Sequence, residues 1–184
     1  VMYEARFTFH GFRYIRITGV EELRPEDFTA VALSTRKENF GTFHSSDERL
    51  DRLYKNIRWS QRNNLMCIPS DCPTREKAGW TGDILVYART ALQNENVTPL
   101  LTAWLGNVRA DMSESGVVRV VTPFERTYNA VFTAQCADLG EREQNNVAGW
   151  SDAIVWVPYD MYRVTGNRHV LMENFEAMEC FSNN

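Results

Sequence analysis

The sequence contains no apolar run near the roughly 20 residues that a membrane-spanning helix requires, which argues against a helical membrane span. It also lacks an excess of basic residues, since 20 Lys and Arg stand against 24 Asp and Glu and the net charge is −4. The basic residues are scattered rather than gathered into a stripe, so the sequence predicts no binding to nucleic acid or to a membrane. With 43% hydrophobic and 24% charged residues, the composition is that of a globular protein.

Cysteine and histidine are both scarce. The cysteines form no CxxC pair and lack the dense spacing of a disulfide-stapled module, so we expect free and mostly buried thiols; they are Cys67, Cys72, Cys136 and Cys180. The histidines lie far apart, without the spacing that builds a metal site on one element; they are His10, His44 and His169. The sequence therefore predicts no metal and no cofactor.

The first 38 residues are rich in aromatic and β-branched side chains. In 6–19 (RFTFHGFRYIRITG) these side chains flank His10 and Gly11, and the pattern predicts a β-hairpin. A second extended run over 28–34 predicts a further strand. These are too few strands for an independent sheet, so we expect them to belong to a larger β structure.

From about residue 40 the pattern becomes helical. Ser45, Ser46 and Asp47 offer N-cap oxygens for a helix that continues to about Met66. Its apolar face follows helical spacing and consists of Leu50, Leu53, Tyr54 and Ile57. A second helix begins near Asp83, which could cap it. A third begins at Thr98, with an apolar stripe of Leu101, Trp104, Leu105, Val108 and Met112.

Three more helices are predicted in the second half of the chain. One covers 127–137, one covers 153–164 with a kink or restart at Pro158, and one follows Gly166. In the last helix the aligned apolar residues are Leu171, Phe175 and Met178. Helices joined by short connections usually pack as antiparallel hairpins, so we expect an array of helix pairs.

The segment 68–83 (IPSDCPTREKAGWTGD) concentrates the groups that carry chemistry. It holds Asp71, Glu76 and Asp83 together with Trp80, between glycines that allow close backbone approach. Carboxylates accept hydrogen bonds from sugar hydroxyls, an aromatic face covers the C–H side of a sugar ring, and glycoside hydrolysis needs a pair of carboxyl groups. Clustered acids also favour a proton on one of them. Two structural alternatives remain: Asp83 could be a helix cap, and Trp80 could anchor the loop in the core.

The string DCPTREKAGWTGD resembles the signature of the bacterial α-L-rhamnosidases. HGFRYIRITG is similar to the closing strands of that family's β-sandwich domain, FHSSDERLDRLYKNIRWSQRNN to its first barrel helix, and GWSDAIVWVPYDMYRVTGNRHVL to a later inner helix and its successor. The resemblance implies a mainly α fold: residues 1–38 would be the end of a β-sandwich, and residues 39–184 the first part of an (α/α)6 barrel of six helical hairpins.

The resemblance also implies residue roles. Glu76 matches the general acid of an inverting reaction, Asp71 and Asp83 match carboxylates that hold rhamnose hydroxyls, and Trp80 and Trp150 match aromatic residues of the sugar pocket. Arg75 lies beside the acid and either fixes its environment or is an ordinary structural arginine. Asp152 is expected to cap or orient the following helix. Some relatives have an extra acidic residue between the Arg and the Glu, whereas here Arg75 and Glu76 are contiguous.

The general base of the family lies in the last third of the barrel, so the resemblance places it outside this chain, and we expect the chain alone to be inactive. The implied substrate is a glycoside or polysaccharide with terminal α-L-rhamnose, in carbohydrate metabolism, and the remainder of the parent chain is an implied partner. The alternatives are a non-catalytic carbohydrate-binding protein, a six-hairpin glycosidase for another sugar, and a helical scaffold. The sequence does not choose an aglycone, an oligomeric state, or between bacterial cytoplasm and periplasm.

Overall fold

The computed structural model describes residues 3–20, 22–35, 41–124 and 146–184. The described residues are mainly helical, as predicted. The helices are α1 (Glu48–Asn64), α2 (Thr81–Asn94), α3 (Thr98–Asp111), α4 (Ala153–Thr165) and α5 (His169–Ser182). The strands are β1 (Leu65–Met66) and β2 (Ile68–Pro69), and a 3-10 helix covers Pro25–Asp27. The helix predicted over 127–137, like Cys136, lies outside the described residues.

Residues 3–20 and 22–35, the described part of the N-terminal region, form no strand, so the predicted hairpin over 6–19 and the predicted strand over 28–34 are wrong for these residues. Phe7 has a φ of 55°, a left-handed conformation that a strand does not contain. Aromatic side chains such as Tyr14 are exposed, and none of the described residues forms a sheet that would cover them. A two-stranded hairpin alone is marginal in water, which accounts for the irregular backbone.

Helix α1 begins and ends for local reasons. Asp47 is its N-cap and accepts a hydrogen bond from the Arg49 backbone N–H at 2.9 Å. The helix ends two residues before the predicted position, because Leu65 enters β1. The chain then reverses at Cys67, whose φ is 64°, and Leu65 pairs with Pro69 across the small antiparallel ladder. The reversal delivers the chain from α1 into the segment rich in acids.

The core lies between α2, α3 and α4, and α5 packs on α4. The predicted stripe of α3 is confirmed, since Leu101, Trp104, Leu105 and Val108 are buried. Helix α4 runs through Pro158 without a break and ends at Gly166, which has a φ of 71°. Among the described helices, none is long and apolar enough to cross a membrane.

Helix α5 buries a different face from the predicted one. Val170 and Asn174 are its buried residues, whereas Phe175 is exposed. The Asn174 amide accepts a hydrogen bond from Arg109 of α3 and donates one to the Val170 carbonyl at 2.7 Å. These hydrogen bonds connect α3 to α5 and turn the Asn174 face of α5 toward the core. The apolar spacing of α5 does not indicate that orientation.

The three thiols that the structure describes are free, as expected, but they are not mostly buried, which corrects that part of the expectation. Cys67 is exposed, and Cys72 and Cys180 are half-buried. Cys67 occupies the turn of the β1–β2 hairpin and Cys72 lies in the loop that follows, so neither belongs to a core-facing element.

Candidate active site

The loop from residue 70 to residue 80, which we call the acid loop, connects β2 to α2. Asp71 closes it. The backbone N–H of Asp71 donates to the Ala78 carbonyl at 3.0 Å, and the Asp71 carboxylate accepts from the Ala78 N–H at 3.1 Å. These two reciprocal bonds bring the ends of the segment 71–78 together, so the residues between them form a closed loop.

Glu76 lies in that enclosed segment, with a donor on each carboxylate oxygen. Its Oε2 accepts from the Trp80 indole Nε1 at 3.0 Å, and its Oε1 accepts from the Arg75 guanidinium at 2.5 Å. Its backbone N–H donates to Cys72 Sγ at 3.1 Å. The Arg75 side chain is 83% exposed and that of Glu76 is 26% exposed, so the Arg75 contact is screened by water more than the Trp80 contact is.

The pKa values of the acids diverge. The hydrogen bond from Trp80, followed by that from Arg75, holds the pKa of Glu76 below its ordinary value. Partial burial raises the pKa of Asp83, and the nearby negative charges of Asp71 and Glu76 raise it further. The two shifts are opposite because hydrogen-bond donors surround the Glu76 carboxylate and stabilise its ionised form, whereas burial favours the protonated form of Asp83.

Trp80 is fixed by an extended segment, residues 117–122, which we call the strap. Trp80 pairs with Val121 in an antiparallel bridge. On either side of it, the Thr122 N–H donates to the Gly79 carbonyl at 2.9 Å and the Thr81 N–H donates to the Val120 carbonyl at 2.9 Å. A side chain at Gly79 would collide with the Thr122 carbonyl, so this glycine permits the close approach that the sequence suggested.

Helix α2 begins directly after Trp80, which is its N-cap residue. Asp83 stands in the first turn rather than at the cap, so the alternative in which Asp83 caps this helix is wrong. A carboxylate in the first turn of a helix is stabilised by the partial positive charge there. Asp83 thus lies just past the acid loop, close enough to Asp71 for the two carboxylates to interact.

Trp150 meets the same end of α2. A Cβ added at Gly82 would lie 2.8 Å from the Trp150 indole ring, so the glycine provides the space for that ring. The Asp152 carboxylate accepts from the Gly149 N–H at 2.6 Å and makes no side-chain cap for α4. Asp152 therefore does not cap α4 with its side chain, which corrects that part of the expectation, and its carboxylate instead holds the turn that carries Trp150.

A cavity of about 420 Å³ opens between α1 and α2. Asp71 and Asp83 line it, together with residues that sequence reasoning missed, among them Gln61 and Tyr87. Gln61 is buried, donates to the Ala91 carbonyl at 3.2 Å and accepts from the Tyr87 hydroxyl at 3.1 Å. The available signal was its spacing four residues after Ile57 on α1. Glu76, Trp80 and Trp150 are not lining residues of this cavity.

One group of described residues could hold a cation. Ligand atoms of Asp71, Cys72 and Glu76 lie within 4.8 Å of one another. Each of these three side chains already accepts a hydrogen bond from within the protein. The donors are Ala78 to Asp71, the Glu76 backbone to Cys72, and Trp80 to Glu76.

Two family models match the chain. The bacterial alpha-L-rhamnosidase 6 hairpin glycosidase domain matches residues 38–184, and the bacterial alpha-L-rhamnosidase concanavalin-like domain matches residues 2–34. An alpha-L-rhamnosidase of Streptomyces avermitilis is 37% identical over 97% of the chain, and one of Formosa agariphila is 33% identical over 95%. The chain spans only 16% and 18% of those proteins, respectively.

Solved structures give the same result. The alpha-L-rhamnosidase of Streptomyces avermitilis complexed with L-rhamnose is 33% identical, with a TM-score of 0.64 over 75% of this chain and 12% of its own. The native enzyme of Aspergillus terreus is 31% identical, with a TM-score of 0.68 over 80% of this chain and 16% of its own. The expected partial (α/α)6 fold is therefore confirmed, and the chain belongs to the bacterial α-L-rhamnosidase six-hairpin glycosidase family.

Proposed function

We propose that this chain supplies one wall of the active site of an inverting glycosidase that removes terminal α-L-rhamnose, with Glu76 as the general acid. In this proposal residues 1–38 end a β-sandwich domain and residues 39–184 begin the catalytic barrel. The observation that carries the proposal is the Glu76 carboxylate, which is held by the Trp80 indole and flanked by Asp71 and Asp83.

The sugar-binding roles follow from the chemistry of the flanking groups. Asp71 and Asp83 are acceptors for rhamnose hydroxyls, and Trp80 and Trp150 offer indole faces to the C–H side of the ring. Arg75 contacts the acid itself, so it acts through Glu76 as well as on the sugar. The relatives described above are alpha-L-rhamnosidases, and the structure of one contains bound L-rhamnose, which favours rhamnose over another sugar as the substrate.

In the reaction, the proton of Glu76 moves to the glycosidic oxygen as the bond from that oxygen to the anomeric carbon breaks. A second carboxylate, outside this chain, removes a proton from the attacking water. Because the donors on Glu76 lower its pKa, substrate binding has to favour the protonated form of the acid. Exclusion of water by the sugar raises a carboxyl pKa and provides the cause.

The lowered pKa of Glu76 also supports a second candidate, a carbohydrate-binding protein without catalysis. An ionised Glu76 is a good acceptor for a sugar hydroxyl and a poor proton donor. The two candidates differ in whether the complete protein turns over and in whether that turnover depends on the proton of Glu76.

The deciding experiment is Glu76→Gln in the complete protein that carries this chain, assayed on two rhamnosides. We expect a loss of roughly 100-fold or more in kcat on a substrate with a poor leaving group, and a smaller loss on an aryl rhamnoside whose leaving group needs less protonation. Glu173→Gln, on the exposed face of α5, is the matched control. Equal rates for Glu76→Gln and wild type on the poor leaving group would exclude Glu76 as the acid.

A further inference from the structure

Asp111, the last residue of α3, holds the far end of the strap. Its Oδ2 accepts hydrogen bonds from the Thr122 hydroxyl at 3.0 Å and from the Phe124 backbone N–H at 2.7 Å. Both donors converge on the same oxygen, although they come from residues two positions apart. The Asp111 carboxylate thus connects the end of α3 to the last residue of the strap and to Phe124 just beyond it.

Thr122 passes this connection on. It is fully buried, and its carbonyl accepts from the indole Nε1 of the buried Trp104 at 3.2 Å. Its backbone N–H donates to the Gly79 carbonyl of the acid loop at 2.9 Å. The hydroxyl, carbonyl and N–H of Thr122 therefore each have a partner, two of them on α3 and one on the acid loop.

The backbone of Trp80 lies between two of these anchors. Gly79 is bound to Thr122, Thr81 is bound to Val120, and the indole N–H of Trp80 then reaches Glu76 at 3.0 Å. Fixing the backbone on both sides of a residue fixes the direction in which its side chain leaves the chain. A shift of the strap therefore moves Trp80 relative to Glu76.

We propose that Asp111 is a positioning residue of the active site, which holds Trp80 against Glu76 by fixing the end of the strap at Thr122 and the chain just beyond it at Phe124. Asp111 acts through the strap and is not a catalytic residue. The inference rests on the proposed role of Glu76, and it predicts that a change at the end of α3 alters the behaviour of an acid on another loop.

Asp111→Leu and Asp111→Asn in the complete protein make a matched pair of variants. Leucine has a similar size and no acceptor, whereas the single carbonyl oxygen of asparagine can receive both donors. We expect Asp111→Leu to lower kcat roughly 10- to 100-fold with a smaller change in KM, because a small misplacement of catalytic groups is costly. Asp111→Asn retains most of the activity.

The pH profile separates positioning from simple destabilisation. Among the described residues, the charged and titratable groups that act on Glu76 or contact it include Arg75, Asp71, Cys72 and Asp83, and Asp111→Leu removes none of these four. A weaker Trp80 hydrogen bond leaves the pKa of Glu76 less depressed, so the basic limb of kcat/KM moves to higher pH in Asp111→Leu. It stays in place in Asp111→Asn.

Amide exchange provides a readout that does not depend on turnover. We expect Asp111→Leu to speed exchange at residues 79–82 as well as at 119–124, and Asp111→Asn to do neither. Faster exchange at 119–124 alone, with an unchanged pH profile, overturns the proposal. If Asp111→Leu fails to fold, Thr122→Val deletes only the hydroxyl donor, and wild-type exchange and pH profile in that variant overturn the proposal equally.

The failure of this inference is distinguishable from failure of the proposed function. If Glu76→Gln abolishes turnover while Asp111→Leu leaves the pH profile and exchange at 79–82 as in wild type, the proposed function stands and the positioning role falls. If Glu76→Gln is fully active, the proposed function falls, and exchange at residues 79–82 in Asp111→Leu decides the mechanical coupling by itself.

Discussion

The indole N–H of Trp80 donates to the carboxylate of Glu76 at 3.0 Å, and this hydrogen bond is the largest influence on the pKa of that acid. Under the proposed function the bond gives Trp80 two roles, because the same side chain would also offer an aromatic face to the sugar. It stabilises the ionised form of Glu76, which in the proposed reaction is the form that remains after the proton has moved to the leaving group. In the proposed reaction Trp80 would thus also favour the product side of the proton transfer.

Trp80→Phe separates these two roles, since phenylalanine keeps an aromatic face and has no N–H. Without the donor, the pKa of Glu76 rises. A general acid works while protonated, and its activity is lost as pH rises through its pKa, so the basic limb of kcat/KM in the complete protein moves to higher pH. An unshifted limb, measured alongside wild type on one rhamnoside, would contradict the assignment of Glu76 to that limb.

Gly79→Ala should destabilise the site, because the new methyl group meets the Thr122 carbonyl of the strap. Overpacking of this kind costs about 1–3 kcal/mol in the free energy of unfolding. Denaturant titration measures it, and amide exchange at residues 119–124 localises it. Gly41→Ala is the control, since a methyl group there meets nothing within 4 Å. A neutral Gly79→Ala would mean that the acid loop and the strap are farther apart than described.

The presence of Glu76 and Trp80 in one segment was predictable because they lie four residues apart in a distinctive motif, whereas the hydrogen bond between them comes from the structure. The start of α1 at Asp47 and the stripe of α3 were predictable for the same reason, since caps and periodicity are local. The strap was not. Its bond from Thr122 to Gly79 joins residues far apart in the sequence, and no spacing announces it. The N-terminal hairpin failed in the opposite way, because its local pattern is clear and the sheet that would stabilise it is not among the described residues.

Asp83→Asn should stabilise the fold and weaken sugar binding. Asp83 has a raised pKa, so its ionised form is less favourable in the folded than in the unfolded protein, and stability falls as pH rises from its ordinary pKa through the raised one. Asparagine has no such penalty. We expect a higher Tm than wild type at pH 7, no difference in acid, and a raised KM for the rhamnoside. A Tm advantage that persists at low pH would point to a cause other than ionisation.

The isolated 184-residue chain should show no useful turnover of an aryl α-L-rhamnoside, whereas the complete protein turns it over. The physical reason is that inversion needs a second carboxylate about 6.5–9.5 Å from the acid to activate water. Among the described residues of the second half, Glu173 is exposed on α5 and is paired with His169 at 3.5 Å. Measurable activity in the isolated chain would place the general base within these residues.

Glu95→Gln should weaken the packing of α1 against the other helices. The Glu95 carboxylate is buried and accepts from Arg58 at 3.0 Å and from Arg62 at 2.9 Å, which ties α1 to the connection between α2 and α3. Breaking a buried ion pair by removing one charge costs about 3–5 kcal/mol, because the remaining charge is left without compensation. Glu173→Gln removes an exposed pair with His169 and should change stability by less than about 1 kcal/mol. Denaturant titration compares the two variants, and amide exchange along 48–64 should accelerate only in Glu95→Gln. Equal effects of the two substitutions would show that the Glu95 cluster contributes no more than a surface ion pair.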